Sequence, residues 1–346
     1  MRTALLFTFF IGLISPTIAQ LGGNYAFPFI DLSYSARSTA LTGDYISVKD
    51  GDINIGINNP SLLNSEMTGK IGLSQSLMTG GVNIGMTAYG FDVKKLGTIS
   101  TYIKYVNYGK FERTSINGIS EGTFRPFEMV AGAGVGRQLN ERLSIGGNLN
   151  MIFSQLEAYT SVGASVDFAG TYYDAEKQFL VTAMAKHVGA QFKSFANNGN
   201  RGSLPTEIQA AVSYKLAHAP FRLSLLAHHL NKWDLTYNDP TLVPTIDALT
   251  GDTIPVPRAG FGEKLARHFS YQIEAPISEK FHLRFGFDYH RRRTFALEQR
   301  PGAAGFSFGT GLYFRRFILD YAFLIYSAAG FNHQLTLSIN TREWRK

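Results

Sequence analysis

The sequence predicts an all-β protein: a transmembrane antiparallel β-barrel of about fourteen strands. Three observations carry this expectation. From residue 68 onward apolar and polar residues alternate with period two, which places one apolar and one polar face along each segment. Most of those segments run to ten residues or more, whereas soluble strands average about five or six and tilted membrane strands need about nine to eleven. The connections alternate between tight turns and long loops, the arrangement of a barrel with one short-turn rim and one long-loop rim.

The elements follow in order. Residues 1–19 read as an export signal: Arg2 supplies the positive start, residues 4–14 the apolar stretch, and Thr17-Ile18-Ala19 a small-residue cleavage site. The mature chain then begins at Gln20, and no cysteine follows to take a lipid anchor. Residues 20–66 are polar and rich in Gly, Asn and Ser, without a strand pattern of full length. Phe27, Phe29, Ile30 and Leu32 give more apolar content than a free periplasmic tail would tolerate, which is compatible with a segment folded into the lumen as a hatch. In that position Arg37, Asp44, Asp50 and Asp52 would meet charges on the barrel wall.

Residues 67–346 are the expected barrel. Its segments lie near 69–78, 81–92, 96–107, 125–138, 142–155, 159–171, 177–187, 206–217, 220–229, 267–276, 280–291, 303–315, 316–328 and 331–342. In one of them Phe281, Leu283, Phe285, Phe287 and Tyr289 oppose His282, Arg284, Gly286, Asp288 and His290. Tight connections such as Val93-Lys94-Lys95, Asn140-Glu141, His218-Ala219 and Ile277-Ser278-Glu279 follow the even segments. Long ones, 108–124, 188–205, 230–266 and 292–302, follow odd segments, so both barrel ends fall on the short-turn, periplasmic rim. A soluble β-sandwich would alternate too, but strand length and loop parity disfavour it.

Composition narrows the function. Of 346 residues only 17% are charged, while 13% are aromatic; soluble domains carry roughly a quarter charged residues. The net charge of +7 is spread out, with no basic run longer than Arg291-Arg292-Arg293, so nucleic acid is not an expected partner. The absence of cysteine excludes disulfides, thiolate zinc sites and a thiol nucleophile.

Individual motifs add little chemistry. Gly305-Phe306-Ser307-Phe308-Gly309 matches a nucleophile elbow, yet it lies inside an alternating strand with no helix behind it, and no catalytic role is assigned. Gly132-Ala133-Gly134-Val135-Gly136 suggests close packing from inside the barrel rather than phosphate binding. His228 and His229 are adjacent, so on a strand they would face opposite ways and share no metal; neither metal nor cofactor is expected. Lys104, Glu128, Arg142, Lys186, Glu274, Arg284, Asp288 and Asp320 are expected to be paired charges of a hydrated lumen. The longest connection, 230–266, holds Trp233 and Tyr237 among Pro240, Pro244, Pro255 and Pro257. It is read as a partner-binding loop or as a solvated loop folded over the barrel mouth.

Before the first strand stand Ser35-Ala36-Arg37-Ser38-Thr39-Ala40-Leu41-Thr42-Gly43-Asp44, then Asp50-Gly51-Asp52, then Asn58-Asn59-Pro60-Ser61-Leu62-Leu63. This resembles the N-terminal signature of the PorV/PorQ group within the FadL-like fourteen-stranded outer-membrane barrels. Thr42 stands where that signature has Gly, and Ser61 where it has Ala. The matching positions are Ala36, Arg37, Ala40, Leu41, Gly43, Asp50, Asp52, Asn59 and Pro60. Lys215-Leu216-Ala217-His218-Ala219-Pro220-Phe221-Arg222, His229-Leu230-Asn231-Lys232-Trp233-Asp234-Leu235 and Arg267-His268 extend the resemblance, on the PorQ side of the group, over the mature chain. The resemblance implies a non-enzymatic component of the type IX secretion system of Bacteroidota. Its implied partners are a PorZ-like surface protein, a PorU-like sortase, a PorV-like barrel and outer-membrane lipopolysaccharide, to which secreted cargo is attached. The competing expectation is a FadL-like transporter of hydrophobic small molecules.

Overall fold

The computed structural model describes residues 25–78, 80–195, 201–237, 243–246, 249, 251–256, 258–296, 302–327 and 330–344. The expected export signal lies outside the described residues.

Fourteen strands form one closed antiparallel barrel. They are β1 (Lys70–Met78), β2 (Asn83–Val93), β3 (Gly97–Asn107), β4 (Phe127–Gln138), β5 (Leu143–Leu156), β6 (Tyr159–Asp174) and β7 (Phe179–Lys193). The ring continues with β8 (Glu207–Lys215), β9 (Arg222–Ala227), β10 (Phe269–Pro276), β11 (Phe281–Asp288), β12 (Phe306–Tyr313), β13 (Phe317–Ser327) and β14 (Gly330–Asn340). Each strand pairs with its sequence neighbour, and β1 closes on β14 from Lys70↔Asn340 to Met78↔Asn332. The barrel therefore begins and ends on the rim that carries the tight turns, and closure leaves no unpaired sheet edge. The fold class read from the alternation is the one found.

Alternation now has a physical meaning. On β14, Asn332, Gln334, Thr336 and Ser338 are buried, whereas Phe331 and Leu335 are exposed. Leu149, Met151, Phe168 and Leu223 likewise face outward. Polar-in and apolar-out is the reverse of a soluble barrel and matches a lipid-facing band around a polar interior. No described helix is long and apolar enough to cross a membrane.

Among the segments that end differently from the sequence reading, three do so for a clear local reason. β7 was expected to stop at 187 but continues to Lys193, because a bulge centred on left-handed His187 (φ 57°) shifts the register with β6 and interrupts the alternation. β11 stops at Asp288, whose carboxylate accepts the Arg291 N–H at 2.8 Å and caps a short helix, Tyr289–Phe295. β9 stops at Ala227, because His229 adopts φ 54° and turns the chain.

Residues 25–67 form short capped turns and helices, including α1 (Ala36–Ala40) and α2 (Ile53–Asn58). Ser35, Asp52, Asn59 and Asn64 each accept a backbone N–H two or three residues ahead, which is why this segment does not continue as strand. It touches the wall on all sides. Leu63 and Met67 pack with Ile84, Val130 and Ile152; Leu41 and Ile55 with Leu180; Ile46 with Met184, Ala211 and Leu226; Ala36 and Ala40 with Ala322. Contact with walls so far apart around the ring requires that the segment lie inside the lumen. A Cβ at Gly146 on β5 would come within 2.3 Å of the Pro60 backbone, so glycine there permits the close approach.

Candidate functional site

Two ionic centres join the enclosed segment to the barrel wall. Near the short-turn rim, Arg37 of α1 grips Glu274 of β10 with two parallel bonds, Nε–Oε1 at 2.9 Å and Nη2–Oε2 at 2.8 Å. Its third nitrogen, Nη1, reaches Asp50 at 2.7 Å and Asp52 at 3.2 Å. Glu274 also accepts from Arg284 Nε at 2.9 Å, and Arg284 goes on to Asp320 at 2.5 Å and the Tyr313 hydroxyl at 2.8 Å. The side chains of Arg37, Glu274, Arg284 and Asp320 are at most 4% exposed. Fork-to-fork geometry makes this the stronger kind of ion pair, and every buried charge in it has a partner. Burial alone would depress the Arg37 guanidinium, but Asp50 and Glu274 outweigh it and hold it well above its ordinary range.

Most signature positions fall in or beside this centre or on the wall contacts, while Gly43 lines the cavity at the mouth. The Ala36 N–H donates to Thr336 Oγ1 at 2.8 Å, and Ala36 and Ala40 pack on Ala322. The Leu41 carbonyl accepts from Gln272 Nε2 at 3.0 Å. Asn59 Nδ2 donates to the Ile46 carbonyl at 2.8 Å and to Thr182 Oγ1 at 2.9 Å, and Pro60 seats against Gly146. Thr42 has φ 67° and Gly43 φ 102°, which accounts for glycine at both positions in the related signature. Asp50 and Asp52 pair with Arg37 of their own segment rather than with the wall. The elbow-like motif straddles the start of β12 rather than lying inside a strand: Gly305 precedes it with φ 89°, and Ser307, its second residue, donates to the Ala40 carbonyl at 2.9 Å and accepts from Thr42 N–H at 3.2 Å. Arg142 was expected in the lumen; it lies in the turn before β5, about half exposed, 3.8 Å from Asp174.

The second centre lies towards the long-loop rim. Lys186 Nζ of β7 meets Asp31 at 2.7 Å, Asp44 at 2.8 Å and Glu207 of β8 at 3.1 Å. Asp31 and Asp44 come from the enclosed segment and are 35% exposed. Above them opens a cavity of about 260 Å³, lined by Asp31, Asp44, Glu207, His228, His290 and Arg291 among others.

Here the sequence reading of the histidines is corrected. His228 and His229 do not face opposite ways, because the strand has already ended and left-handed His229 folds its ring back. Their Nδ1 atoms are 2.8 Å apart, and Glu207 Oε1 is 3.5 Å from His229 Nδ1. Glu207, His228 and His229 each offer a ligand atom, all within 4.8 Å of one another. The His290 ring stands 6.2 and 5.9 Å from the other two. Burial pushes His228 down to about 3 and His290 down to about 4, so both are neutral bases at physiological pH. Adjacency along the chain carried no sign of this cluster; only the backbone turn at His229 creates it.

Beyond the rim, the described residues of loop 230–266 include regular structure. They contain a two-stranded hairpin (Thr245–Ile246 with Thr253–Ile254) and α3 (Phe261–Ala266), numbered after the two lumen helices. Trp233 is 50% exposed; its ring lies 5.3 Å from Phe261 and 5.7 Å from His268, whose Nε2 is 3.0 Å from the Trp233 carbonyl. Tyr237 is 68% exposed. Lys264 pairs with Asp234 at 2.7 Å, and Arg267 and Arg293 both pair with Glu263 at 2.9 Å. Pro240 and Pro257 lie outside the described residues.

The fold and these contacts define a class: an outer-membrane-type barrel of fourteen strands with its N-terminal segment held in the lumen. Among solved structures, the chain is similar to the toluene transporter TbuX of Ralstonia pickettii at 11% identity, covering 90% of this chain and 98% of that one, with a TM-score of 0.51. It is similar to the toluene transporter TodX of Pseudomonas putida at 13% identity, covering 89% and 96%, with a TM-score of 0.52. A TodX variant described as a monoaromatic hydrocarbon channel gives 13% identity, 89% and 99% coverage and a TM-score of 0.53. At these identities the likeness is one of fold. No protein-family model and no curated protein matches the chain.

Proposed function

We propose that this chain is an outer-membrane barrel, closed by its own N-terminal segment, that holds a surface protein at its long-loop mouth. The observation that carries the reading is the Arg37–Glu274 lock. It fixes the enclosed segment to the wall at two parallel bonds with neither side chain more than 4% exposed. A segment so fastened suits a rigid anchor better than a gate that must move on every transport cycle. The mouth cavity is lined by carboxylates and imidazoles beside Leu226, Phe295 and Tyr326, a mixed surface that offers polar contacts. Trp233 and Tyr237 on the outer loop offer the aromatic groups that commonly dominate interfaces.

The sequence resemblance supplies the setting. It implies the attachment complex of the type IX secretion system in a Bacteroidota-type outer membrane. There a PorZ-like surface protein would be the direct partner, beside a PorU-like sortase and a PorV-like barrel acting on lipopolysaccharide-linked cargo.

A second reading is transport of hydrophobic small molecules, and the fold likeness to solved toluene transporters favours it more directly than the first. One experiment separates them. Cells lacking the chain are complemented with the wild type or with Trp233→Ala, and two quantities are followed: surface-protein retention and uptake of radiolabelled toluene. The anchor reading expects retention to be restored by the wild type and weakened in the variant, with uptake the same in all strains. Uptake that depends on the chain, with retention unaffected by its loss, establishes the transporter instead.

A further inference from the structure

We propose that Glu207, His228 and His229 form a binding site for a divalent zinc-type cation at the long-loop mouth of the barrel. The donor set is two imidazoles and one carboxylate, the composition of three-ligand zinc sites that leave one position for water or another group. The spacing is close to what such an ion needs. With metal–ligand bonds of about 2.0–2.2 Å, donor atoms around a tetrahedral ion stand about 3.4 Å apart. Here the two Nδ1 atoms are 2.8 Å apart, His229 Nδ1 and Glu207 Oε1 are 3.5 Å apart, and the three donor atoms all fall within 4.8 Å.

Three further features point to a cation rather than to a plain hydrogen-bonded histidine pair. The first is charge. Asp31, Asp44 and Glu207 place three carboxylates around the ammonium of Lys186, and with Lys104, the next cation beside Asp31 and Asp44, the group remains net negative, which favours a cation. The second is orientation. Glu207 Oε2 is held by Lys186 at 3.1 Å and Oε1 by the His229 N–H at 3.1 Å, so the carboxylate is fixed as outer-shell partners fix metal-binding carboxylates. The third is an unused donor. His228 is 5% exposed and its Nε2, the ring nitrogen other than the one facing His229, has no hydrogen-bond partner, nor has Nδ1 of neighbouring His290, which lines the same cavity. The His229 side chain is 38% exposed, which gives an ion a path from the mouth. Imidazole nitrogen selects zinc over calcium or magnesium, which take oxygen ligands.

The test uses the full-length barrel without a histidine tag, in detergent, stripped with chelator and titrated calorimetrically with Zn²⁺. The site predicts one equivalent per chain. His229→Gln, at the most exposed ligand, should weaken binding about 100-fold, and Glu207→Gln about 10-fold or more. His218→Gln, in a short turn at the opposite rim, should bind as the wild type does. Each variant is first checked for heat-modifiable migration, and if Glu207→Gln does not fold, His229→Gln decides. Absence of stoichiometric Zn²⁺ binding to the wild type, or a folded His229→Gln barrel that binds it equally well, overturns the proposal.

Discussion

The two ionic centres fasten the same segment to the same wall, yet they are built differently. Near the short-turn rim an arginine fork meets a carboxylate fork, and a second arginine backs the same carboxylate. Near the long-loop rim one lysine ammonium serves three carboxylates, two of which are 35% exposed. Guanidinium geometry fixes direction as well as distance, whereas an ammonium is a point charge that tolerates movement. The contrast teaches where this molecule is rigid and where it is adaptable: fixed near the short-turn rim, adjustable at the long-loop mouth.

The sharpest way to break that contrast is Arg37→Ala. It removes both fork bonds to the buried Glu274 carboxylate and takes from Asp50 and Asp52 their arginine partner, which should cost about 3–5 kcal/mol. Urea-induced loss of heat-modifiable migration measures it, and a shift smaller than that of the mouth variant would reverse the ranking. Lys186→Met comes next, at about 1–3 kcal/mol, because Asp31 and Asp44 regain water and only Glu207 stays buried without its ammonium. The same denaturation series reads both.

The barrel was legible in the sequence because its strands are long and lipid-facing, so period two persisted over whole segments such as Phe281–Asp288. What broke the reading was left-handed backbone at single non-glycine residues. His187 hid the second half of β7, and His229 brought together two rings that strand geometry would have separated. The Asp288 cap likewise turned an expected strand end into helix. Signature residues were recognisable as a set, but the partner of Arg37 lies 237 positions away, and no local pattern names it. Glu207 and Asp31 drew no notice, since their role exists only where Lys186 gathers them.

Outside the barrel the effects shrink further. Trp233→Ala should lower barrel stability by no more than about 1 kcal/mol, since half the ring is already in solvent. Heat-modifiable migration checks this, and a larger loss would show Trp233 to be a rim support rather than a contact surface. The smallest expected effect is pH-dependent. Partial burial would push the Asp234 carboxyl up, but hydrogen bonds from Lys264 and Thr236 hold it down at about 2. Because the folded value is depressed, the Asp234 contribution to loop order is complete above the ordinary carboxylate range near 4 and fades as pH falls towards 2. Protection of the α3 amides, relative to their intrinsic exchange rates, should therefore fall over that window in the wild type and fall less in Asp234→Asn.

The central claim, that the N-terminal segment closes the lumen, is tested most directly by conductance across a planar bilayer. The wild type is compared with a variant lacking residues 25–66, each first shown to migrate as a folded barrel. The account predicts little or no steady conductance from the wild type and a large, stable channel from the deletion. Equal conductance from the two would contradict it.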